Sequence, residues 1–385
     1  MDSAAMVPRR NLRRLLVATV GALAIVPIPG ALASYSGATQ SGYTSSAAPE
    51  AVELNDLVPS PTYPNWYWST SDVWKTTDTF AACAGLSGPA LSDCQQVQRA
   101  RLWAFQLDPT SHAIVAVRSF AVSDPAWALD PYIAQNNDWE DMTLGPLRTA
   151  ADGTTVAANL IIGATGNAKN NPVYDASGTN ITCDTRRLIE LREPDLNDPT
   201  AGAWAPWKIY DIANYVGTFG AVDCNSEALV QAPDGNGNAQ AYMVSRGGRK
   251  IFSRSLNPST GRDPVTPRAA VGSGLAYEPS VGYVGLVSNS RGAQFTAVDT
   301  NGQDIAMVSP ASSTKPCQLY RWTMTGATLA TTITSVAPAK DAITCSTTEG
   351  VTFARDPANP SVLTRDLYTV SDSRTTLRYW YLPWN

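Results

Sequence analysis

The stretch DWEDMTLGP at residues 138–146 returns in altered form as NSEALVQAPD at 225–234 and as TTEGVTFARDP at 347–357. In each copy a glutamate stands at the start of a strand-forming run, and the run leads to a proline or aspartate turn. Two further strand-forming segments follow each copy, which gives a unit of successive antiparallel strands. A unit that returns along a chain indicates a repeat architecture.

Two weaker copies complete the pattern, one at residues 295–322 without the glutamate and one at 65–108. The segments between the copies are short strands separated by turn signals, and none shows a convincing helical periodicity. We therefore predict an all-β fold, a β-propeller with five or six four-stranded blades.

The first residues have the pattern of an export signal. RRNLRR at 9–14 is followed by an uncharged stretch up to Leu32 and by the small residues Ala31-Leu32-Ala33, which together predict a signal peptide over 1–33. Arg9-Arg10 resembles a twin-arginine signal, and a general secretory signal rich in arginine is the alternative. The predicted domain plan is a signal peptide at 1–33, a polar linker at 34–58 and one propeller domain at 59–385.

All six cysteines follow the predicted cleavage site, and an even number of cysteines in an exported chain predicts disulfides. Several connectivities are possible, and pairing in sequence order is the simplest of them. It gives Cys83–Cys94, Cys183–Cys224 and Cys317–Cys345.

Charge narrows the classes of partner. Without residues 1–33 the chain keeps 24 basic and 32 acidic side chains, a net charge of −8. Nucleic acids and anionic membranes attract basic surfaces, so neither is expected as a partner. An extracellular small molecule, a glycan or a protein remains, and we expect the mature protein to be secreted with no membrane span.

The segment from Asn137 to Pro146, the segment RLIELREP at 187–194 and the later EGV at 349–351 resemble secreted bacterial β-propellers of the phytase-like and esterase-like group. The resemblance covers residues 60–385 and implies a propeller fold. Relatives in this group carry an aspartate-rich turn after the second strand of the DWED blade. This chain has GATGN at 163–167 instead, which removes carboxylates that could hold calcium or substrate.

The repeated glutamates are the candidate site. Innermost propeller strands begin at the mouth of the central channel, so Glu140, Glu227 and Glu349 are expected to converge from three blades. Converging carboxylates repel one another unless a cation lies between them, and calcium takes oxygen ligands of this kind. Two alternatives stay open: acid–base catalysis by the carboxylates, and hydrogen bonding of each glutamate to backbone amides of the next blade.

Asp138, Trp139, Asp141 and Arg246 are candidate ligand-binding residues at the same face. His112 lies in a predicted turn, and no G-x-S-x-G motif accompanies it, so a serine hydrolase is not indicated. Two functions follow. The first is a secreted propeller that binds a ligand or extracellular partner at its acidic channel face, with calcium as the expected cofactor. The alternative is a calcium-dependent phosphate or carboxylic ester hydrolase.

Overall fold

The computed structural model describes residues 41–45, 54–70, 83–88, 90–91, 94, 101–121, 139–149, 156–157, 159–165, 186–198, 206–212, 226–246, 248–261, 281–291, 293–310, 316–345, 348–359, 361–371 and 377–384. The predicted signal peptide, Asp138 and the predicted Cys183–Cys224 pair lie outside these residues. No helix among the described residues is long and apolar enough to span a membrane.

Five four-stranded antiparallel sheets form the blades. The first strand, β1 (Ser41–Ser45), belongs to the last sheet. Blade 1 contains β2 (Val58–Pro59), β3 (Trp66–Thr70), β4 (Arg101–Leu107) and β5 (Ile114–Ala121). Blade 2 contains β6 (Asp141–Leu144), β9 (Asn159–Ala164), β10 (Arg187–Arg192) and β11 (Pro206–Asp211), with a hairpin of β7 (Arg148–Thr149) and β8 (Val156–Ala157) between its first two strands.

The remaining blades follow in chain order. Blade 3 contains β12 (Ser226–Pro233), β13 (Ala239–Ser245), β14 (Lys250–Ser255) and β15 (Val281–Leu286). Blade 4 contains β16 (Ala297–Thr300), β17 (Asp304–Ser309), β18 (Gln318–Thr323) and β19 (Ala339–Ala342). Blade 5 contains β20 (Thr348–Arg355), β21 (Leu363–Ser371), β22 (Leu377–Leu382) and β1.

The innermost strands close into a ring, because β2 contacts β6, β6 contacts β12, β12 contacts β16, β16 contacts β20, and β20 contacts β2. The prediction of an all-β propeller with four-stranded blades is confirmed, and the number of blades is five.

The N-terminal strand β1, which lies in the predicted polar linker, closes the ring. β1 pairs antiparallel with β22 as the outermost strand of blade 5, with Gly42 opposite Trp380. Residues 54–58, also within the predicted linker, are buried. Both segments thus belong to the folded ring, within the range 34–58 that was predicted as a polar linker. An edge strand needs only backbone hydrogen bonds, so a small and polar sequence can supply it.

A short helix, for which the sequence shows no periodicity, lies in blade 4. Helix α1 (Leu329–Ser335) lies between β18 and β19, and the Thr328 hydroxyl caps it by accepting a hydrogen bond from the Thr331 amide. Its buried side chains are Leu329, Thr332 and Ile333. Two turns are too short to show a helical period against the surrounding strands.

The core lies between neighbouring blades. One apolar cluster spans blades 1 and 2 and includes the fully buried Trp68 and Trp139. Disulfides Cys83–Cys94 and Cys317–Cys345 are present, as pairing in sequence order predicted. The second of these joins the start of blade 4's β18 to the segment after β19, and Cys317 is buried against the apolar cluster between blades 4 and 5.

Candidate functional site

Three glutamates meet at the axis of the ring. Glu140, Glu227 and Glu349 come from blades 2, 3 and 5, and each offers a carboxylate oxygen within 4.8 Å of the other two. All three side chains are largely withdrawn from solvent. The convergence follows from the repeat itself, since equivalent positions in successive blades are related by rotation about the axis.

Local backbone irregularities place two of these side chains. The pairing of β12 with β13 shifts between Ser226 and Ala228, so Glu227 is the extra residue of a β-bulge. The pairing of β20 with β21 shifts in the same way around Glu349. A β-bulge leaves one extra residue unpaired in the ladder and re-aims its side chain. Both glutamates are thereby released from the alternation that would otherwise point them between blades.

The backbone carbonyl of the residue before each glutamate accepts a hydrogen bond from a side chain of another blade. The Thr165 hydroxyl donates to the Ser226 carbonyl at 2.7 Å, and the Thr296 hydroxyl donates to the Thr348 carbonyl at the same distance. In blade 1, the amide group of Asn55 donates to the carbonyl of the residue before Glu140. These clamps come from three different blades, and they hold the starts of the glutamate-bearing strands in register with one another.

Arg246 supplies a positive charge to the centre. It follows β13, and its guanidinium donates a hydrogen bond to the Glu227 carboxylate. Burial would lower the pKa of Arg246, but the charges of Glu227, Glu349 and Glu140 outweigh burial and raise it above its usual value. The Arg246 side chain is 36% exposed, whereas that of Glu227 is 2% exposed. The guanidinium therefore faces both the acidic centre and solvent.

Asp299 and Asp141 make hydrogen bonds between neighbouring blades, of the kind that was considered for the glutamates. Asp299 of blade 4 accepts hydrogen bonds from the Phe353 amide and the Thr352 hydroxyl of blade 5, both at 2.9 Å. Asp141 of blade 2 accepts one from the Leu229 amide of blade 3. Burial raises the pKa of Asp299 to about 6.

Two of the predicted ligand-binding residues are buried inside the ring. Both oxygens of Asp141 accept backbone hydrogen bonds inside the ring, and the residue is 3% exposed. Trp139 is fully buried in the core between blades 1 and 2. Trp139 precedes β6 and packs towards blade 1, whereas Asp141 begins β6 and is turned towards blade 3, so the two side chains lie at opposite interfaces of blade 2. Arg246 does reach the centre, and Asp138 lies outside the described residues.

Sequence reasoning missed Asp56. It lies just before β2 and is 2% exposed, with Oδ1 accepting a hydrogen bond from the Thr70 amide at 3.3 Å. Its Oδ2 has no hydrogen-bond partner among the described residues. Burial raises the pKa of Asp56 to about 8. Burial and the charge of Asp56 together raise the pKa of Asp141. Asp56 lies inside the predicted linker, and nothing in its sequence context indicates that it is buried.

His112 belongs to the seam between blades 1 and 5 rather than to the centre. Its Nδ1 lies 2.7 Å from the Tyr368 hydroxyl, and its ring stacks on Tyr381 with 3.6 Å between ring centres. The Tyr379 hydroxyl donates to the His112 carbonyl. Burial lowers the pKa of His112. This residue joins the two blades that close the ring.

No protein-family model and no curated protein sequence matches the chain. Among solved structures, an exo-β-1,3-galactanase from Bifidobacterium bifidum aligns with a TM-score of 0.42 and 8% identity, over 85% of this chain and 87% of that one. A GH43 β-1,3-galactosidase aligns with a TM-score of 0.39 and 8% identity, over 86% and 90%. A PQQ-bound aldose sugar dehydrogenase from Streptomyces coelicolor aligns with a TM-score of 0.28 and 12% identity, over 89% and 99%. Similarity at this level says nothing about activity.

Proposed function

We propose that this protein is a ligand-binding propeller whose ligand is held at the axial centre of Glu140, Glu227, Glu349 and Arg246, with a calcium ion as part of the bound state. The convergence of three carboxylates within 4.8 Å carries this proposal. Calcium–oxygen distances are about 2.3–2.6 Å, so oxygens that share one calcium lie at most about 5 Å apart. The glutamates meet that condition without rearrangement of the strands.

Charge balance supports a divalent ion. Three ionised glutamates and Arg246 leave the centre with a net charge of −2, which one divalent cation neutralises. Carboxylates that are withdrawn from water are costly unless they are paired or bind a cation. The partly exposed Arg246 side chain then remains available to a ligand that approaches from the channel mouth.

Export belongs to the same proposal. The predicted signal peptide, the Cys83–Cys94 and Cys317–Cys345 disulfides and the resemblance to secreted phytase-like and esterase-like propellers are mutually consistent with a protein that works outside the cell. Extracellular calcium is abundant enough for a site of modest affinity to be filled.

A second candidate function is calcium-dependent hydrolysis of a phosphate or carboxylic ester. The observation that favours it is Arg246, which presents a guanidinium beside the glutamates while 36% of its side chain is exposed. Guanidinium groups bind phosphate and carboxylate oxygens in paired hydrogen bonds. A bound calcium ion would supply Lewis acidity and lower the pKa of a coordinated water.

The test begins with chelator-stripped protein and a calcium titration followed by thermal unfolding. Binding to the folded state alone stabilises it by about 2.7 kcal/mol when calcium is a hundredfold above its Kd. We expect this stabilisation in the unmodified protein and in Asp198→Asn. This control removes an exposed carboxylate between β10 and β11 of blade 2. We expect its loss in Glu140→Gln and in Glu349→Gln.

No change in Tm at millimolar calcium would refute the calcium centre. If calcium binds, a panel of phosphate and carboxylic esters separates the two candidates. Hydrolysis that requires calcium and disappears in Glu349→Gln would establish the enzyme, whereas calcium binding without turnover leaves the binding function.

A further inference from the structure

A cavity lies between blades 2 and 3, at the Ala239 end of β13, whereas Glu227 and Arg246 lie at its Ser245 end. It has a volume of about 380 Å³, within the range of about 300–1,000 Å³ that is usual for small-molecule sites. Asn238 and Gln240 line it at the start of β13, and Ser255 and Asn257 line it at the end of β14. Arg148 of β7 closes the side that belongs to blade 2.

The wall formed by Arg148 is held in place by a buried hydrogen-bond network. Arg148 pairs with both carboxylate oxygens of Glu190, at 3.0 and 3.1 Å, and also donates to the Leu256 carbonyl of blade 3. Glu190 is fully buried, and it accepts two further hydrogen bonds, from Tyr210 at 2.7 Å and from Asn159 at 2.8 Å. The charge of Arg148 is thus balanced by Glu190 inside the protein.

The opposite wall is also preorganised. Asn257 accepts hydrogen bonds from the amide and hydroxyl of Ser259 and so caps a short 3₁₀ turn. Asn238 donates from its side chain to Asp234 at 3.1 Å. The Leu256 amide donates to the Ala239 carbonyl at 3.0 Å, which ties the two strand ends together. A ligand that binds between fixed walls loses less affinity to the ordering of the protein.

The chemistry of the lining selects a neutral, hydrogen-bonding ligand. Apart from Arg148, whose charge Glu190 balances, the polar side chains of the cavity are amides and one hydroxyl. Amides and hydroxyls both donate and accept, as the hydroxyls of a sugar do. Pro258 adds a partly exposed apolar surface against which the C–H face of a sugar ring can pack. We infer that this cavity binds a neutral saccharide and that it is a site distinct from the axial centre.

The experiment is isothermal titration of the full chain with maltose, cellobiose and lactose, and with glucuronate and glucosamine as charged counterparts. We expect binding of at least one neutral disaccharide and weaker binding of both charged sugars. Gln240→Ala should weaken it about tenfold, which corresponds to the loss of one or two hydrogen bonds. Ser255→Trp should abolish it by filling the cavity.

Gln303→Ala is the matched control, because it removes an exposed glutamine of blade 4. It should bind as the unmodified protein does, and so should Glu349→Gln, which alters only the axial centre. Thermal unfolding of each variant shows that it is folded. The inference is overturned if none of the neutral disaccharides binds, or if Ser255→Trp binds as the unmodified protein does. Binding that disappears in Glu349→Gln but survives in Gln240→Ala would place the sugar at the axis and would also overturn it.

Discussion

Asp56→Asn should stabilise the propeller above mildly acidic pH, because the native Asp56 carboxyl is buried in its protonated form. The residue is 2% exposed, and burial raises its pKa from 3.8 to about 8. Asparagine has the same shape. Its amide oxygen can replace Oδ1 as the acceptor for the Thr70 amide, and its amide nitrogen replaces the oxygen that has no partner among the described residues.

The magnitude follows from proton linkage. Between a pKa of 3.8 in the unfolded chain and about 8 in the folded chain, the folded state holds one more proton, so stability falls as pH rises by about 1.4 kcal/mol per pH unit. The substitution removes this dependence.

The assay is urea-induced unfolding, followed by tryptophan fluorescence at several values between about pH 5 and about pH 8. The slope of unfolding free energy against pH should become more positive in Asp56→Asn by about 1.4 kcal/mol per unit. Asp141→Asn is the comparison for the sign of the effect on stability. Both oxygens of Asp141 accept backbone hydrogen bonds, so an amide nitrogen there would face a donor and destabilise at every pH. Equal slopes in Asp56→Asn and the unmodified protein would refute a protonated Asp56.

Three other substitutions test the packing of the ring. Gly350→Ala should lower the free energy of unfolding in urea by about 2 kcal/mol, because the added Cβ would lie 2.6 Å from the Asp56 Cα. Gly235→Ala is its control and should leave the free energy of unfolding nearly unchanged, because the nearest atom to its Cβ lies at 3.8 Å. Trp384→Ala should lower the free energy of unfolding by about 1–3 kcal/mol in the same assay, because the Trp384 ring centre lies 4.5 Å from the Arg321 guanidinium and 5.1 Å from that of Arg365. An unchanged urea midpoint would exclude that contribution. The lowered pKa of His112 means that below about pH 6.5 the unfolded chain binds a proton more readily than the folded chain, so acidification lowers stability. His112→Gln should therefore lose less stability below this pH. An unchanged dependence of Tm on pH would contradict this.

The amino-acid sequence was sufficient for the type of fold and for one part of the site. Alternating strands and turns predict blades, and the copies around Glu140, Glu227 and Glu349 predict that these residues meet, because repeated positions in a propeller are related by rotation about one axis. Pairing of the cysteines in sequence order was also correct for Cys83–Cys94 and Cys317–Cys345, which are close in the chain.

Contacts between distant parts of the chain decided the rest. A polar pentapeptide, Ser41–Ser45, became a strand because the open edge of blade 5 offers it backbone partners. Asp56 became a buried acid, and Asp141 a latch, through neighbours in other blades. Local sequence records which face of a strand a residue occupies only through alternation, and a β-bulge or an inter-blade contact changes that assignment. The repeat therefore determined where the glutamates converge, and the closed ring determined which of the neighbouring polar residues join them.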